Sequence, residues 1–417
     1  MTRMKSHNPA LASRACLKRK TSEILADHMA EEFYGDSPLR CSRCLYDENT
    51  PAITFDENGE CNYCTLHNRM DMEYPTGEEG ARILHSLADE IRRKGKGKPF
   101  DVIVGVSGGT DSSYLLYKTK ELGLRPLAVH FNNTWNTPIA TENMHNVLKG
   151  LKVELHTHAV DKEEYDDILR SFLLAGTIDI DAPTDIALAA TLYIAAEQYG
   201  IEYIFEGHSF RTEGVCPLGW IYMDGKYIKS VNRRFGHYDS HRFRTFPNLW
   251  MTSFLKWMLI KRIKRIRPLY YMDYNKEEAK ILLSQMFKWK WYGGHHLENQ
   301  YTSFFHSYFC PTRFGTDTRV LGYSALIRSG QMTREEGLRL IETPPSPIPH
   351  IIELVKERFR FSDEEFDLVM HQPIRTYRDF RTYKKTFEHM RPFFWLMYKM
   401  NLVPKSFYTK FTSKRTV

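Results

Sequence analysis

The fold is decided by the stretch Asp101-Val-Ile-Val-Gly-Val-Ser-Gly-Gly-Thr-Asp-Ser-Ser113. An apolar run of strand length, Asp101 to Val106, leads into a glycine-rich turn, and a helical pattern follows from Ser112 to Leu122. Glycines let the backbone approach a phosphate closely, and the free N–H groups and dipole of a helix N-terminus hold negative charge. The stretch therefore predicts a phosphate-binding loop between the first strand and the first helix.

Polar side chains in this loop extend the prediction. The hydroxyls of Ser107, Ser112 and Ser113 can add hydrogen bonds to a phosphate. A carboxylate at Asp111 is unusual beside phosphate unless it binds Mg²⁺ or caps the helix. The simpler alternative is an ordinary strand-to-helix turn, but the complete S-G-G-x-D-S string favours nucleotide binding. It is not a Walker loop, because no G-K-[ST] follows.

Strands and helices alternate on the C-terminal side of the loop. We predict further strands at Pro126–Phe131, Val153–Thr157, Tyr203–Glu206 and Ile263–Leu269, and helices at Thr141–Lys149, Lys162–Ala175 and Asp185–Tyr199. This alternation indicates an α/β fold with a doubly wound parallel sheet and helices on both faces. A ligand of such a sheet lies at the carboxyl ends of the strands, near the point where the strand order reverses.

On the N-terminal side, four cysteines form two C-x-x-C pairs, Cys41/Cys44 and Cys61/Cys64, separated by 16 residues. This is the spacing of a tetrahedral zinc knuckle, and Asn58-Gly59 between the pairs favours a hairpin. Sulfur fills all four positions and leaves no place for water, so the predicted Zn²⁺ is structural rather than catalytic. An iron–sulfur cluster and fortuitous cysteines are the alternatives.

The composition of the 417 residues is that of an ordinary globular protein, with 42% hydrophobic and 26% charged residues. The chain has no apolar stretch of membrane-spanning length and no N-terminal signal pattern, so we expect a cytoplasmic protein. We divide it into an N-terminal extension (1–40), a zinc-binding knuckle module (41–76), a nucleotide-binding domain (77–285) and a helical, aromatic-rich C-terminal region (286–417).

Basic residues are concentrated in two segments. Residues 375–417 contain 11 Lys or Arg and 2 Asp or Glu, and residues 253–267 contain six basic residues and no acidic one. In the second segment, Phe254–Ile266 has an amphipathic helical pattern. Contact with a membrane surface is one interpretation of that pattern, and one buried side of an ordinary helix is the favoured one. The formal net charge of +7 does not by itself indicate nucleic acid, and we expect none as a partner.

The loop string resembles the PP-loop of the ATP pyrophosphatase superfamily, whose members cleave ATP to AMP and pyrophosphate. The resemblance covers about residues 100–285. It implies that Ser107, Gly108, Gly109, Asp111 and Ser112, with Ser113, bind the pyrophosphate end of ATP and its Mg²⁺. It also places His130 and Phe131 near the adenine, and Glu206, Gly207 and His208 at the same cleft, with Ser107, Asp111, Glu206 and His208 as catalytic candidates. For His130, a buried core histidine is an equally weighted alternative.

Members of this superfamily differ in substrate. A tRNA thiolase is the first alternative, but the segment that carries its cysteines reads Asp181-Ala-Pro-Thr-Asp-Ile-Ala187 in this chain. A self-sufficient glutamine amidotransferase is a second alternative, but no glutaminase nucleophile motif is present. If ammonia is the nucleophile, we expect a separate glutaminase and ammonia-channel subunit to supply it.

The whole chain resembles the N-acetyl sugar amidotransferase family of bacterial surface-polysaccharide and flagellar sugar pathways. The supporting strings are Gly207-His-Ser-Phe-Arg-Thr-Glu213, Trp291-Tyr-Gly-Gly-His-His-Leu-Glu298, Arg313-Phe-Gly-Thr-Asp-Thr-Arg319 and Ile327-Arg-Ser-Gly-Gln-Met-Thr-Arg-Glu-Glu336. The resemblance implies ATP-dependent conversion of an acetamido group on a nucleotide-activated sugar into an acetamidino group. The candidate acceptor-binding residues are Arg211, Glu213, Tyr292, His295, His296, Glu298, Arg313, Asp317 and Arg319.

Overall fold

The structure is a computed structural model, and it describes residues 38–413 apart from 218, 238–242, 295–296, 349, 401 and 404. Almost all of the predicted N-terminal extension therefore lies outside the described residues, as do the acceptor-binding candidates His295 and His296.

A parallel sheet of five strands forms the centre of the described chain. The strands are β1 Val102–Gly105, β2 Pro126–Asn132, β3 Leu155–Ala159, β4 Tyr203–Phe205 and β5 Lys264–Ile266. Their order is β3-β2-β1-β4-β5, and every neighbouring pair is parallel. The chain moves outward from β1 to β3 and then crosses to β4 on the other side of β1. The strand order therefore reverses between β1 and β4, which confirms the predicted doubly wound fold.

Helices surround this sheet and form the C-terminal region. They are α1 Asn62–Glu73, α2 Gly77–Lys94, α3 Thr110–Glu121, α4 Pro138–Leu151, α5 Lys162–Ala175, α6 Ala182–Gln198, α7 Gly225–Phe235, α8 Met251–Leu255, α9 Lys276–Phe287, α10 Gln300–Phe304, α11 Cys310–Phe314, α12 Arg319–Arg328, α13 Arg334–Glu342, α14 Ile351–Phe359, α15 Asp363–His371, α16 Lys384–His389, α17 Arg391–Lys399 and α18 Lys405–Thr412. Short 3-10 helices lie at Pro268–Tyr271 and Tyr377–Asp379. A π-helical turn, Phe305–Phe309, joins α10 to α11.

The central strand shows why the sequence forms a two-sided sheet. Val102 and Val104 point into a core shared with α2, α3, α4 and α9, whereas Ile103 points into a second core shared with α6. All three side chains are fully buried. Successive strand residues alternate between faces, so a continuous apolar run is what a strand covered on both faces requires.

The prediction of one amphipathic helix over Phe254–Ile266 is wrong at its C-terminal end, whereas the predicted strand at Ile263–Leu269 is confirmed by β5. The segment begins in α8, passes through a π-helical turn at Lys256–Ile260, and ends as β5. Arg265 pairs with Ile204 in the sheet register. An edge position beside β4 provides backbone hydrogen bonds to the second half of the segment, and this outweighs a helical spacing of apolar residues.

The N-terminal module is held by two isolated antiparallel bridges, Arg40 with Asp47 and Phe55 with Cys61. The second bridge closes the hairpin predicted at Asn58-Gly59, where Gly59 has a φ of +74°. Helix α1 leads from this module toward the sheet domain. Among the described residues, no helix combines the length and the apolar character that crossing a membrane requires.

Candidate functional site

The loop Ser107–Gly109 leaves β1 at the carboxyl edge of the sheet and enters α3. Gly108 has a φ of +84°, and a Cβ atom on it would lie 2.0 Å from the carbonyl oxygen of Ala140. Only glycine fits this position, because both the backbone angle and the space exclude a side chain. The loop backbone at Gly108 therefore packs directly against α4.

Hydroxyl groups fix the shape of the loop. The Oγ atoms of Ser107 and Ser112 lie 3.3 Å apart, and the Gly109 N–H donates to Ser107 Oγ over 3.3 Å. The indole of Trp289 donates to the carbonyl oxygen of Gly108 over 3.0 Å, and this tryptophan is fully buried. The loop is thus held in one conformation, and Trp289 was not predicted from the sequence.

Asp111 lies in the first turn of α3 and is bound by two residues that follow β5 in the chain. Its Oδ1 accepts a hydrogen bond from the Tyr274 hydroxyl over 2.6 Å, and its Oδ2 is 2.9 Å from the Lys276 ammonium. The N-cap of α3 is Gly109, which makes no side-chain capping bond. The alternative in which Asp111 merely caps the helix is therefore wrong.

The ammonium of Lys276, whose side chain is 11% exposed, faces this carboxylate. Burial lowers the pKa of Lys276, but the negative charges of Asp111 and Glu213 outweigh burial, and the pKa is raised overall. The lysine thus keeps its charge at physiological pH. A charged ammonium beside the loop can stabilise a polyphosphate.

Glu213 and His208 lie beside Asp111. Burial and the charge of Asp111 raise the pKa of Glu213 to about 8. Burial and the positive charge of Arg267 lower the pKa of His208 to about 3. His208 Nε2 lies 3.8 Å from a carboxyl oxygen of Glu213. The raised pKa of Glu213 favours a protonated carboxyl group near neutral pH, and the lowered pKa of His208 favours a neutral imidazole beside it.

Glu298 and Tyr292 reach the loop from the C-terminal region. A Cβ atom on Gly109 would lie 3.2 Å from Glu298 Oε1 and 3.4 Å from the Tyr292 hydroxyl. Burial and the charge of Glu298 raise the pKa of Tyr292. Glu298 Oε2 is buried and has no hydrogen-bond partner among the described residues. A buried acceptor of this kind is available to a ligand.

The described side chains at the loop do not by themselves offer Mg²⁺ three ligands, so a bound phosphate would have to supply the others. Within the described ranges, the cysteines are the only group of three or more potential ligands whose atoms lie within 4.8 Å of one another. Mg²⁺ is commonly bound by one or two carboxylates together with substrate phosphates. Asp111 is the carboxylate nearest the loop, and its two oxygens are engaged by Tyr274 and Lys276.

Two further predicted residues support the site indirectly: Gly207 through its backbone and Glu206 through its charge. A Cβ atom on Gly207 would lie 3.0 Å from the Ser112 nitrogen, so this glycine lets the end of β4 approach α3. Glu206 is engaged by two arginines: Arg265, and Arg267, whose Nε lies 3.2 Å from Glu206 Oε2. We therefore interpret Glu206 as holding the two arginines in place.

His130 and Phe131 are inside the protein. His130 Nδ1 lies 2.9 Å from the Val106 carbonyl oxygen, and its Nε2 lies 3.0 Å from the Asn136 amide nitrogen. Phe131 packs edge-on against Tyr165. The geometry favours the interpretation of His130 as a buried core histidine. Its contact with Val106 supports the residue that directly precedes the loop.

Three arginines among the acceptor candidates bind protein groups elsewhere. Arg211 donates to Asp71 Oδ1 over 2.8 Å and to the Tyr74 and Tyr270 carbonyl oxygens. Arg313 donates to the carbonyl oxygen of Gln372 over 2.7 Å, just beyond the end of α15. Arg319 pairs with Asp317 over 2.7 Å. Of the described acceptor candidates, Glu213, Tyr292 and Glu298 are the ones brought to the loop.

The four cysteines converge at the N-terminal module. Cys41, Cys44, Cys61 and Cys64 are fully buried, and their sulfur atoms all lie within 4.8 Å of one another. The Cys44–Cys61 and Cys41–Cys64 sulfur separations are 3.7 Å and 3.8 Å. These separations fit four thiolates around one ion with metal–sulfur bonds of about 2.3 Å. The centre can thus bind a metal such as zinc, as predicted.

Arg328 lies on this centre and was not predicted. Its Nη2 is 3.0 Å from Cys44 Sγ, its Nε is 3.2 Å from Cys64 Sγ, and its guanidinium lies 4.4 Å from the ring centre of Tyr46. Arg328 ends α12, so the C-terminal region contacts the cysteine module through this side chain.

Comparisons with known proteins agree with this arrangement. The family model described as LPS biosynthesis protein WbpG-like, C-terminal domain, matches residues 298–392. The tRNA-specific 2-thiouridylase MnmA of Proteus mirabilis (strain HI4320) is 34% identical over 129 residues, which are 27% of this chain and 35% of MnmA. The chain thus spans about a third of the length of the curated relatives it matches.

Two solved structures are similar at low identity. The U34-tRNA thiolase NcsA from Methanococcus maripaludis, solved with its 4Fe-4S cluster, shares 13% identity at a TM-score of 0.31, over 81% of this chain and 90% of NcsA. The NH3-dependent NAD synthetase from Campylobacter jejuni shares 14% identity at a TM-score of 0.28, over 70% of this chain and 97% of the synthetase. Both scores are too low to add to the assignment.

The sheet order and the S-G-G-x-D-S loop at the end of β1 fit the resemblance to the PP-loop ATP pyrophosphatase superfamily, and part of the chain is similar to MnmA. Residues 298–392 are similar to the WbpG-like C-terminal domain.

Proposed function

We propose that this protein is an ATP-dependent amidotransferase that converts the acetamido group of a nucleotide-activated sugar into an acetamidino group, with release of AMP and pyrophosphate. One observation carries the proposal: Glu298, the first residue of the match to lipopolysaccharide-biosynthesis proteins, lies against Gly109 of the phosphate loop. The region that matches this family thus contributes a side chain beside the loop that we propose binds ATP.

The chemistry explains why ATP is needed. An amide carbonyl is a poor electrophile, and its oxygen is a poor leaving group. Transfer of AMP to that oxygen, with pyrophosphate as the leaving group, gives an imidate. Ammonia then adds to the imidate carbon, and AMP departs with the former amide oxygen. The loop amides and Lys276 would stabilise the charge on the departing pyrophosphate.

His208 and Glu213 would handle the proton. Ammonia must lose a proton after it adds, and the best acceptor is a base whose pKa lies near the operating pH. The pKa of Glu213 is raised to about 8, whereas that of His208 is lowered to about 3. We assign proton transfer to Glu213, with the neutral His208 beside it, and binding of the acceptor to Tyr292 and Glu298.

Transfer of sulfur to tRNA is the second candidate, favoured by the similarity to MnmA. The burial and the raised pKa values of the cysteines outside the metal centre argue against this candidate. Cys310 is fully buried, and burial raises the pKa of both Cys310 and Cys216. Reactive thiols have a lowered pKa and access to substrate. The segment Asp181–Ala187, which enters α6, contains no cysteine.

The proposed partners follow from the reaction. The acceptor is a nucleotide-activated acetamido sugar. A separate glutaminase with an ammonia-channel subunit would supply ammonia, since the sequence contains no glutaminase motif. We expect neither a nucleic acid partner nor a membrane surface to be needed for the reaction.

Mass spectrometry tests the proposal. Purified protein is incubated with ATP, Mg²⁺, an ammonium salt at raised pH, and a panel of UDP- and CMP-linked acetamido sugars. One acceptor should become lighter by about one mass unit, because NH replaces oxygen, and should gain a positive charge. A Cys216→Ser, Cys310→Ser double variant should retain this activity. If no sugar reacts and tRNA gains sulfur in a cysteine-dependent manner, the second candidate replaces the first.

A further inference from the structure

Arg328 connects the four-cysteine centre with the nucleotide site. We propose that it is a positioning residue, whose guanidinium balances the charge of the metal–thiolate centre and whose following residues fix the side chains around Asp111. The inference rests on the proposed use of ATP, but it does not depend on which acceptor is modified.

The metal side of the connection is electrostatic. Four thiolates around a divalent ion carry a net charge of about −2, and a buried charge of this size is costly unless it is compensated. Arg328 is 7% exposed, and it directs Nε and Nη2 at the sulfur atoms of Cys64 and Cys44. The guanidinium itself would be a costly buried charge if the thiolates were not assembled. Each partner therefore stabilises the other.

The chain leaving Arg328 first contacts Arg211. Ser329 Oγ donates to the Arg211 carbonyl oxygen over 2.8 Å, and Arg211 in turn donates to the Tyr270 carbonyl oxygen over 2.7 Å. The Tyr270 hydroxyl lies 3.0 Å from His208 Nδ1. His208, which lies beside the proposed proton acceptor Glu213, is thus oriented by a chain of contacts that begins next to Arg328.

A second contact leads to Asp111. Gln331 Nε2 donates to the Tyr274 carbonyl oxygen over 3.1 Å, and the Tyr274 hydroxyl donates to Asp111 Oδ1 over 2.6 Å. Gly330, with a φ of +72°, makes the turn that brings Gln331 to Tyr274. Displacement of Arg328 would therefore loosen Tyr270, which contacts His208, and Tyr274, which contacts Asp111.

The first experiment measures metal affinity. Co²⁺ is titrated into apoprotein against a competing chelator, and the thiolate-to-cobalt absorption is recorded. Arg328→Met should weaken binding by about 10–100-fold, the usual effect of removing a group that hydrogen-bonds to metal ligands. Arg328→Lys should recover part of the loss, because it restores the charge. The control is Arg339→Met, which removes an exposed arginine from α13 and should leave affinity unchanged.

The second experiment tests whether Arg328 and Gln331 affect nucleotide affinity through the same chain of contacts. Binding of a non-hydrolysable ATP analogue with Mg²⁺ is compared by calorimetry for the wild type, Arg328→Lys, Gln331→Ala and the double variant, all loaded with metal. Gln331→Ala should weaken the nucleotide while leaving Co²⁺ affinity intact. The two substitutions should be non-additive, because they interrupt the same chain of contacts.

If Arg328→Met binds Co²⁺ with wild-type affinity, Arg328 does not balance the charge of the metal centre. If the effects of Arg328→Lys and Gln331→Ala on nucleotide affinity are additive, Arg328 does not act on the nucleotide site through Gln331. Because Arg328→Lys and Gln331→Ala are conservative, they keep both experiments decisive if Arg328→Met does not fold. If the wild type binds no nucleotide, the proposed use of ATP fails, whereas the cobalt titration still decides the role of Arg328 at the metal centre.

Discussion

The two charged centres of this protein differ in how they are assembled and in how completely they are satisfied. The cysteine centre draws its ligands from Cys41 to Cys64, and sulfur atoms and Arg328 fill it. The centre at the phosphate loop, our proposed nucleotide centre, draws on residues from Ser107 to Glu298, and a Glu298 oxygen there is left without a partner among the described residues. A local, filled centre serves stability, whereas a centre assembled from distant elements with an unused acceptor serves a ligand.

Substitution of a cysteine ligand should have the largest effect. Cys61→Ser should remove the metal and unfold the N-terminal module, because structural zinc contributes on the order of 10 kcal/mol of apparent binding free energy. Elemental analysis of the wild type should find zinc at about one equivalent per chain and no iron. Thermal unfolding compares the variant with Cys216→Ser, which should keep both metal and stability. Iron in the wild type would instead make the centre an iron–sulfur site.

Substitution in the nucleotide centre should affect rate rather than fold. Asp111→Asn should lower pyrophosphate release by about 10²–10³-fold, the usual loss when a preorganised electrostatic group is removed. The melting temperature should stay close to that of the wild type. Asp89→Asn, which neutralises an exposed carboxylate paired with Arg92 on α2, is the control. An unchanged rate in Asp111→Asn would show that this carboxylate does not act on ATP.

A pair of glycine substitutions compares the two centres directly. Gly59→Ala should cost about 1–2 kcal/mol of unfolding free energy, because its φ is positive but its nearest neighbouring atom would be 3.7 Å from the new Cβ. Gly108→Ala should cost that amount plus about 1–3 kcal/mol, because the new Cβ meets the Ala140 carbonyl oxygen. Chemical denaturation measures both. Equal costs would mean that the loop shifts freely away from α4.

The smallest effect, taken over a single pH unit, should be a pH dependence of stability. The pKa of Glu213 is raised to about 8 in the folded protein, so the folded state keeps a proton that the unfolded state loses above the ordinary pKa of 4.5. The lowered pKa of His208 acts in the opposite direction below pH 6.5. The free energy of unfolding should therefore fall between about pH 6.5 and 8, by at most about 1.4 kcal/mol per pH unit from Glu213.

Denaturation at several pH values should show a shallower fall in Glu213→Gln. Glu142→Gln, which removes a surface ion pair with Lys290, is the control and should keep the wild-type slope. A slope unchanged by Glu213→Gln would mean that Glu213 is ionised throughout this range.

The sequence predicted the features that are contained in short contiguous segments. The loop and the cysteine centre each carry their determining residues within one segment, so spacing and residue type were sufficient. Lys276 was missed because it starts a helix next to Glu277 and Glu278, where a surface lysine is ordinary. The signal for it is topological: it follows β5, whose carboxyl end lies at the same edge as the loop.

Other features depend on partners that a sequence does not show. An arginine in a conspicuous string can bind a ligand or a backbone carbonyl, and in this structure Arg211 and Arg313 donate to carbonyls. Likewise, the apolar spacing after Phe254 suits a helix, but the end of that segment is β5, paired with β4, where a strand was also predicted. In both cases a distant part of the chain decides the outcome.

The bond between Trp289 and Gly108 gives the protein a built-in optical reporter. Indole emission responds to the hydrogen bonding and polarity around its nitrogen, and here that nitrogen is bound to the loop itself. A phosphate that shifts the loop would alter the emission of Trp289, and the difference between the wild type and Trp289→Phe would isolate the signal. Occupancy of the loop could then be followed in real time, without a labelled nucleotide and before any acceptor is known.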